Sequence, residues 1–180
     1  TYPLLRTQLQ NVNLAMSYDD KKFDNTSGGS TTVYGIKVYN ASINANFVDS
    51  WEGGGVTNTS LGVTSGDKST DSRYTKLNLG LSRLQSMTET LSVYVAMSAQ
   101  TANKNLDSSE KMYLGGATGV RAYPASEAGG SEGNTLTMEL RQRVNNNLML
   151  TGFYDYGRVK VNRDNNTSSP ANPSNWRVTL

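Results

Sequence analysis

Gly129-Gly130-Ser131-Glu132-Gly133 matches the G-x-S-x-G elbow that presents a nucleophilic serine in many hydrolases. That chemistry needs a strand-to-helix turn and a histidine to take the serine proton, and the 180-residue chain has no histidine. Gly115-Gly116-Ala117-Thr118-Gly119 has the glycine density of a phosphate cradle, but no Lys-Ser/Thr pair follows it and no helix opens behind it. Gly115 and Gly116 are better read as allowing close backbone approach or a positive φ. Asp107 and Glu110 are close enough to form a carboxylate pair or to start a calcium site. No further aligned oxygens accompany them, so a solvated or capping pair is expected. The absence of cysteine removes disulfides and thiolate metal sites, and the absence of histidine removes the usual base and transition-metal ligand. The chain is expected not to be an enzyme and to need no metal or cofactor. The remaining candidate chemistry is paired hydrogen bonding between a guanidinium and a carboxylate, Arg121 and Asp155.

Alternating strands must position these residues. Val12, Leu14, Met16 and Tyr18 share one face of a strand expected from about Arg6 to Tyr18. Tyr39, Ala41, Ile43, Ala45 and Phe47 do so in the next, from about Thr32 to Val48, where Tyr34, Ile36 and Val38 take the other parity and suggest a bulge near Val38. Asp19 to Ser30 between them reads as a long loop. Leu61 and Val63 mark a short strand, Leu77, Leu79 and Leu81 a further one, and Leu91, Val93, Val95 and Met97 the next. After residues 105–123, Leu136, Met138 and Leu140 alternate with Thr137, Glu139 and Arg141. The asparagines at 145–147 then turn the chain into Leu148 to Tyr156. Residues 163–175 read as a polar loop.

The class is therefore all-β. Each strand has one apolar face and one small, amide-bearing or charged face, a pattern that a sandwich shares. Connections that alternate short and long favour an outer-membrane barrel, with tyrosines at strand ends (Tyr18, Tyr34, Tyr74, Tyr154, Tyr156) as its aromatic girdle. Mean hydropathy is −0.54 and no apolar run approaches the roughly 20 residues of a membrane helix, which excludes membrane helices but not such a barrel, whose lumen-facing residues dilute every hydropathy window. A net charge of +2 gives no case for nucleic acid. A soluble β-sandwich binding or adhesin domain is the alternative of another class; a porin or a barrel-assembly insertase is the alternative within the class.

Asp155 shares the parity of Thr151, opposite Leu150 and Tyr154, so in a barrel it points into the lumen. Arg121 is one possible partner. Arg141 and Arg143, on the neighbouring strand, are nearer ones, and charge logic alone leaves the choice open.

The run from Tyr74 to Arg141, with Leu81-Ser82-Arg83-Leu84-Gln85, Asn105 to Glu110, Leu114-Gly115-Gly116, Gly119 to Pro124 and Glu139-Leu140-Arg141, closely resembles the TpsB transporters of two-partner secretion. These are the haemolysin-activator (ShlB/FhaC/HecB) type within the Omp85 superfamily. Phe153-Tyr154-Asp155-Tyr156-Gly157 is similar to the family's F-x-D-x-G strand motif. Ala122 replaces the usual glycine of the V-R-G-Y tip, which is expected to restrict it slightly. The resemblance implies a sixteen-stranded outer-membrane barrel preceded by POTRA domains. Residues 1–180 would supply part of the C-terminal barrel domain, about eight strands, with the POTRA domains and the other strands absent. It implies a long loop folded into the lumen. Its working tip and latch would be Val120, Arg121, Ala122 and Tyr123 against Asp155 and Gly157, and its stem would include Asp107, Glu110, Gly115 and Gly116. The implied function is export of an unfolded TpsA-type exoprotein across the bacterial outer membrane, with lipid outside the barrel and neither nucleotide nor nucleic acid involved.

Overall fold

The computed structural model describes residues 1–70, 73–163 and 175–179, with residues 27 and 175–179 described by backbone alone. The strands are β1 (Tyr2–Arg6), β2 (Gln10–Ser27), β3 (Ser30–Asp49), β4 (Gly55–Lys68), β5 (Tyr74–Ser86), β6 (Leu91–Ala102), β7 (Met112–Tyr113), β8 (Gly129–Gly130), β9 (Glu132–Asn145), β10 (Leu148–Lys160) and β11 (Asn175–Thr179). Nine of them form one antiparallel sheet in the order β1-β2-β3-β4-β5-β6-β9-β10-β11, and β7 pairs with β8 separately. Among the described residues the long sheet does not close on itself.

Cross-strand register collects the apolar residues on one face. Leu14, Ile43, Leu61 and Leu79 stand in one row and Met16, Ala41, Val63 and Leu77 in the next. Met16, Ile43, Leu61, Val63, Leu77, Leu79, Met138 and Leu140 are all exposed there. Among the described residues no second sheet covers this face, as the core of a sandwich would require. Such a surface fits lipid.

Three expectations change in detail. The sheet has nine strands rather than about eight, because a separate strand, Tyr2–Arg6, precedes the first expected one: Thr7 donates its N–H to the Gln10 carbonyl at 2.8 Å and accepts the Gln10 N–H on Oγ1 at 2.9 Å, turning the chain between the two. The loop expected at 19–30 is instead a hairpin paired without interruption from Gln10↔Phe47 to Ser27↔Ser30. Its turn is Gly28-Gly29, with φ of 59° and 82°, the left-handed values that a two-residue hairpin loop demands. Asp20 stands opposite Lys37 in the register, and the hairpin extends past the apolar band. No bulge occurs near Val38, since the β2–β3 and β3–β4 registers carry no shift. Ile36 and Val38 change face because the long loop covers them: they are buried with Tyr74, Ala102 and Leu106.

The girdle is corrected in the same way. Tyr18 and Tyr39 form an exposed pair on the apolar face, 4.9 Å between ring centroids, and Tyr154 is exposed on that face. Tyr34 and Tyr74 lie on the polar face beneath the loop, the first half-buried and the second buried. At the opposite end of the sheet Gln85 locks the β3–β4 turn, its Nε2 donating to the carbonyls of Trp51 (2.8 Å), Glu52 and Gly54 (both 3.1 Å). The loop expected at 163–175 lies almost wholly outside the described residues.

Candidate functional site: a loop docked on the polar face

The segment between β6 and β9 folds back over the polar face and is held there at two places. Its stem begins where the Leu106 N–H donates to Ser131 Oγ at 2.9 Å. Ser131 Oγ in turn donates to the Val161 carbonyl at 3.2 Å, so the serine of the G-x-S-x-G match is a fully buried tie between the two ends of the loop. Asp107 caps a single 3-10 turn by accepting the Ser109 N–H at 3.1 Å, and it also receives Lys68 Nζ at 2.9 Å and the Tyr34 hydroxyl at 3.0 Å. Glu110 receives Lys21 Nζ at 2.6 Å and Lys76 Nζ at 2.9 Å. Asp107 does cap, but the pair is not solvated: the two side chains keep only 7% and 4% of their surface.

Burial alone would push the Asp107 carboxyl up, yet the Lys68 ammonium, the Ser109 N–H and hydroxyl and the Tyr34 hydroxyl outweigh it and hold the group down at about 2. Glu110 is lowered too: burial opposes the shift and the hydrogen bonds from Lys21 and Lys76 overcome it. Both folded values lie below the ordinary ones of 3.8 and 4.5. Their contribution to stem docking is therefore complete above the ordinary values and is lost as pH falls through the folded ones. The protection factors of the amides of residues 106–112, meaning exchange corrected for its intrinsic pH dependence, are expected to be constant from roughly pH 8 to 5 and to fall only below about pH 4. Protection that is lost between pH 7 and 5 would contradict the assignment.

The tip rests on β9 and β10. Arg121 Nε donates to Asp155 Oδ2 at 2.8 Å and Nη2 to Oδ1 at 2.9 Å, a two-pronged contact to which the Arg121 backbone N–H adds a third bond at 3.2 Å. Nη1 reaches Glu139 Oε1 at 2.6 Å, and the guanidinium lies 3.9 Å from the centre of the Phe153 ring. Glu139 in turn receives Arg141 at 2.6 Å, so Arg141 belongs to Glu139 and not to Asp155. Arg143 donates to the Glu89 carbonyl at 3.3 Å.

The apolar half of the tip is a small cluster of Leu114, Val120 and Val159, with Tyr123 packed against it. Gly157 makes room for it: a Cβ there would stand 2.8 Å from Val120 Cγ2 and 3.0 Å from Leu114 Cδ2. The loop chain is folded tightly on itself. A Cβ on Gly115 would run into the Pro124 carbonyl, and Gly116 has φ of 109°, which strongly favours glycine. Ala122 is exposed and is not among the positive-φ residues, so alanine brings no backbone strain there.

The structure thus groups Val120, Arg121, Tyr123, Asp155 and Gly157 at the tip and Asp107 and Glu110 at the stem, with Gly115 and Gly116 in the fold of the loop between them. Sequence reasoning missed the partners of the stem, Lys21, Lys68, Lys76 and Tyr34, which are far away in the chain. The available signal was the parity change at Tyr34, Ile36 and Val38. Glu139 stood in a quoted motif without a role.

The family described as haemolysin secretion/activation protein ShlB/FhaC/HecB matches residues 1–173. The chain belongs to this family. Its members are outer-membrane transporters of two-partner secretion, and this chain is accordingly a TpsB-type protein. Similar proteins include the heme/hemopexin transporter protein HuxB of Haemophilus influenzae strain KW20 Rd, 34% identical over 101 residues, which are 54% of this chain and 18% of that protein. HuxB of strain 86-028NP is 34% identical over 90 residues, 48% of this chain and 16% of that one. Among solved structures, CdiB from Acinetobacter baumannii aligns with a TM-score of 0.43 at 14% identity, covering 95% of this chain and 40% of that one. The matched TpsB segment is thus under one-fifth of the curated relatives' length.

Proposed function

We propose that the whole protein is an outer-membrane channel that exports an unfolded partner exoprotein of the haemolysin or adhesin type from periplasm to cell surface, without nucleotide hydrolysis. Residues 1–180 are part of its C-terminal barrel domain, with POTRA domains and further strands outside this stretch. The latch is Val120 to Tyr123, held by Arg121 on Asp155 with Gly157 as the seat, and the stem is Asp107 to Gly116. The observation that carries this reading is the docked loop: an arginine that spends three donors on two acidic side chains across the polar face of a barrel wall.

Co-expression of the full-length protein with a candidate partner exoprotein, in a host lacking both, tests the assignment. Exoprotein should appear at the surface or in the medium only when both genes are present. Exoprotein released equally without the channel would refute export. Incorporation of other barrels that fails without this protein would mark an insertase instead.

A further inference from the structure

The polar face is divided chemically. The half under the loop tip is charged, with Glu139, Arg141 and Asp155. The half formed by β2 to β5 below the stem is bare and neutral: from Asn11 to Ser17, Asn40 to Asn46, Asn58 to Thr64 and Asn78 to Ser82, its inward positions hold only asparagine, serine, threonine, alanine or glycine. The lysines of those strands that face the same way, Lys21, Lys68 and Lys76, are engaged by the stem at its upper edge.

Register makes the asparagines a ladder. Asn11, Asn46 and Asn58 are cross-strand partners in one row, and Asn13 and Asn44 in the next. Asn46 Nδ2 donates to Asn58 Oδ1 at 2.7 Å, and Asn58 Nδ2 to Ser82 Oγ at 3.5 Å. Asn44 and Asn58 are exposed, and Asn11, Asn13 and Asn46 half-buried. A side-chain amide has two donor hydrogens and an oxygen with two lone pairs, so these contacts leave capacity unspent. It is also the same functional group as a peptide bond. Same-face residues of a strand recur at about 6.6 Å, the two-residue repeat of an extended chain, so Asn11/Asn13 and Asn44/Asn46 match the spacing of an extended backbone.

We propose that this asparagine-lined half of the inner wall is the contact surface for the exported polypeptide in its extended form. The amides exchange hydrogen bonds with its backbone whatever its side chains are, and a wall without charge does not trap charged segments. The stem stands at the upper edge of this track, and the latch lies to its side on β9 and β10. The inference rests on the export reading above and adds where in the lumen the cargo runs.

The test places a photo-crosslinking residue at Asn46, Asn58, Ser98 (on the wall of β6) or Met97 (on the apolar face) of the full-length protein, in cells whose exoprotein is stalled in transit by a fused folded domain. Adducts with the exoprotein are expected at Asn46 and Asn58, and at least about tenfold fewer at Ser98 and Met97. In parallel, Asn46→Asp with Asn58→Asp should slow secretion several-fold while the loop keeps its wild-type protease resistance. Adducts equally strong at Ser98, or none at Asn46 and Asn58 while the exoprotein is still secreted, overturn the track and leave export standing. Adducts formed only within the channel chain itself overturn it as well. Failure of the wild-type protein to secrete at all refutes the export reading, and the track falls with it.

Discussion

Arg121→Ala and Asp155→Ala in the full-length protein are expected to cut secretion of the exoprotein severely while the barrel still inserts in the outer membrane. Asp155 is 1% exposed and receives three N–H groups from Arg121, so removing the guanidinium strands a buried carboxylate. Breaking a dry buried pair costs about 3–5 kcal/mol, and the 27% of its surface that Arg121 keeps toward lumen water lowers this to roughly 2–4 kcal/mol. That is about 30- to 1000-fold in the docking equilibrium of the tip. Arg121→Lys retains the charge but loses the two-pronged geometry, so it should fall between wild type and alanine. Secretion titres measured beside heat-modifiability of the barrel separate a latch defect from an assembly defect. Near-normal secretion by both alanine variants would remove the latch.

Gly157→Val should reproduce much of that phenotype without touching a charge. Its Cβ would fall within 2.8 Å of Val120 and 3.0 Å of Leu114, and added γ-carbons reach further into the same cluster. Overpacking of this kind costs about 1–3 kcal/mol, and the cheapest relief is for the tip to lift, which draws Arg121 away from Asp155. Gly157→Ala should be milder, since the side-chain ends it meets can give by a few tenths of an ångström. Gly152→Ala, in the same strand with nothing within 4 Å of its added Cβ, is the matched control and should behave as wild type. Limited proteolysis of the loop in the purified full-length protein reads the difference. Equal protection in Gly157→Val and wild type would show that the apolar seat does not hold the tip.

The strands were legible in the sequence because a barrel wall repeats one local rule, an apolar residue at every second position, and the cross-strand rows from Leu14 to Leu79 carry that rule without a break. Where the rule failed to read correctly, a second surface was acting. Ile36 and Val38 look out of register until the loop is placed over them, and they then become the floor on which Leu106 packs. The charged residues Asp19 to Asp24 look like a loop because strands beyond the apolar band lose the lipid side of the pattern, although their backbone pairing continues. The site was legible only in part. Parity gave the direction of Asp155, but its choice among Arg121, Arg141 and Arg143 depends on where a long irregular segment lands, which no local periodicity encodes. The same holds for Lys21, Lys68 and Lys76, whose convergence on Asp107 and Glu110 joins three strands to one turn.

Reconstitution offers the most direct test of export. Full-length protein is inserted in liposomes free of nucleotide, the unfolded exoprotein is added on the side of the proposed POTRA domains, and protease is then added on that side. The account predicts that exoprotein becomes protease-protected inside the vesicles in proportion to channel content, and that Arg121→Ala abolishes most of this protection. Vesicles that conduct ions but leave the exoprotein fully digestible would contradict it.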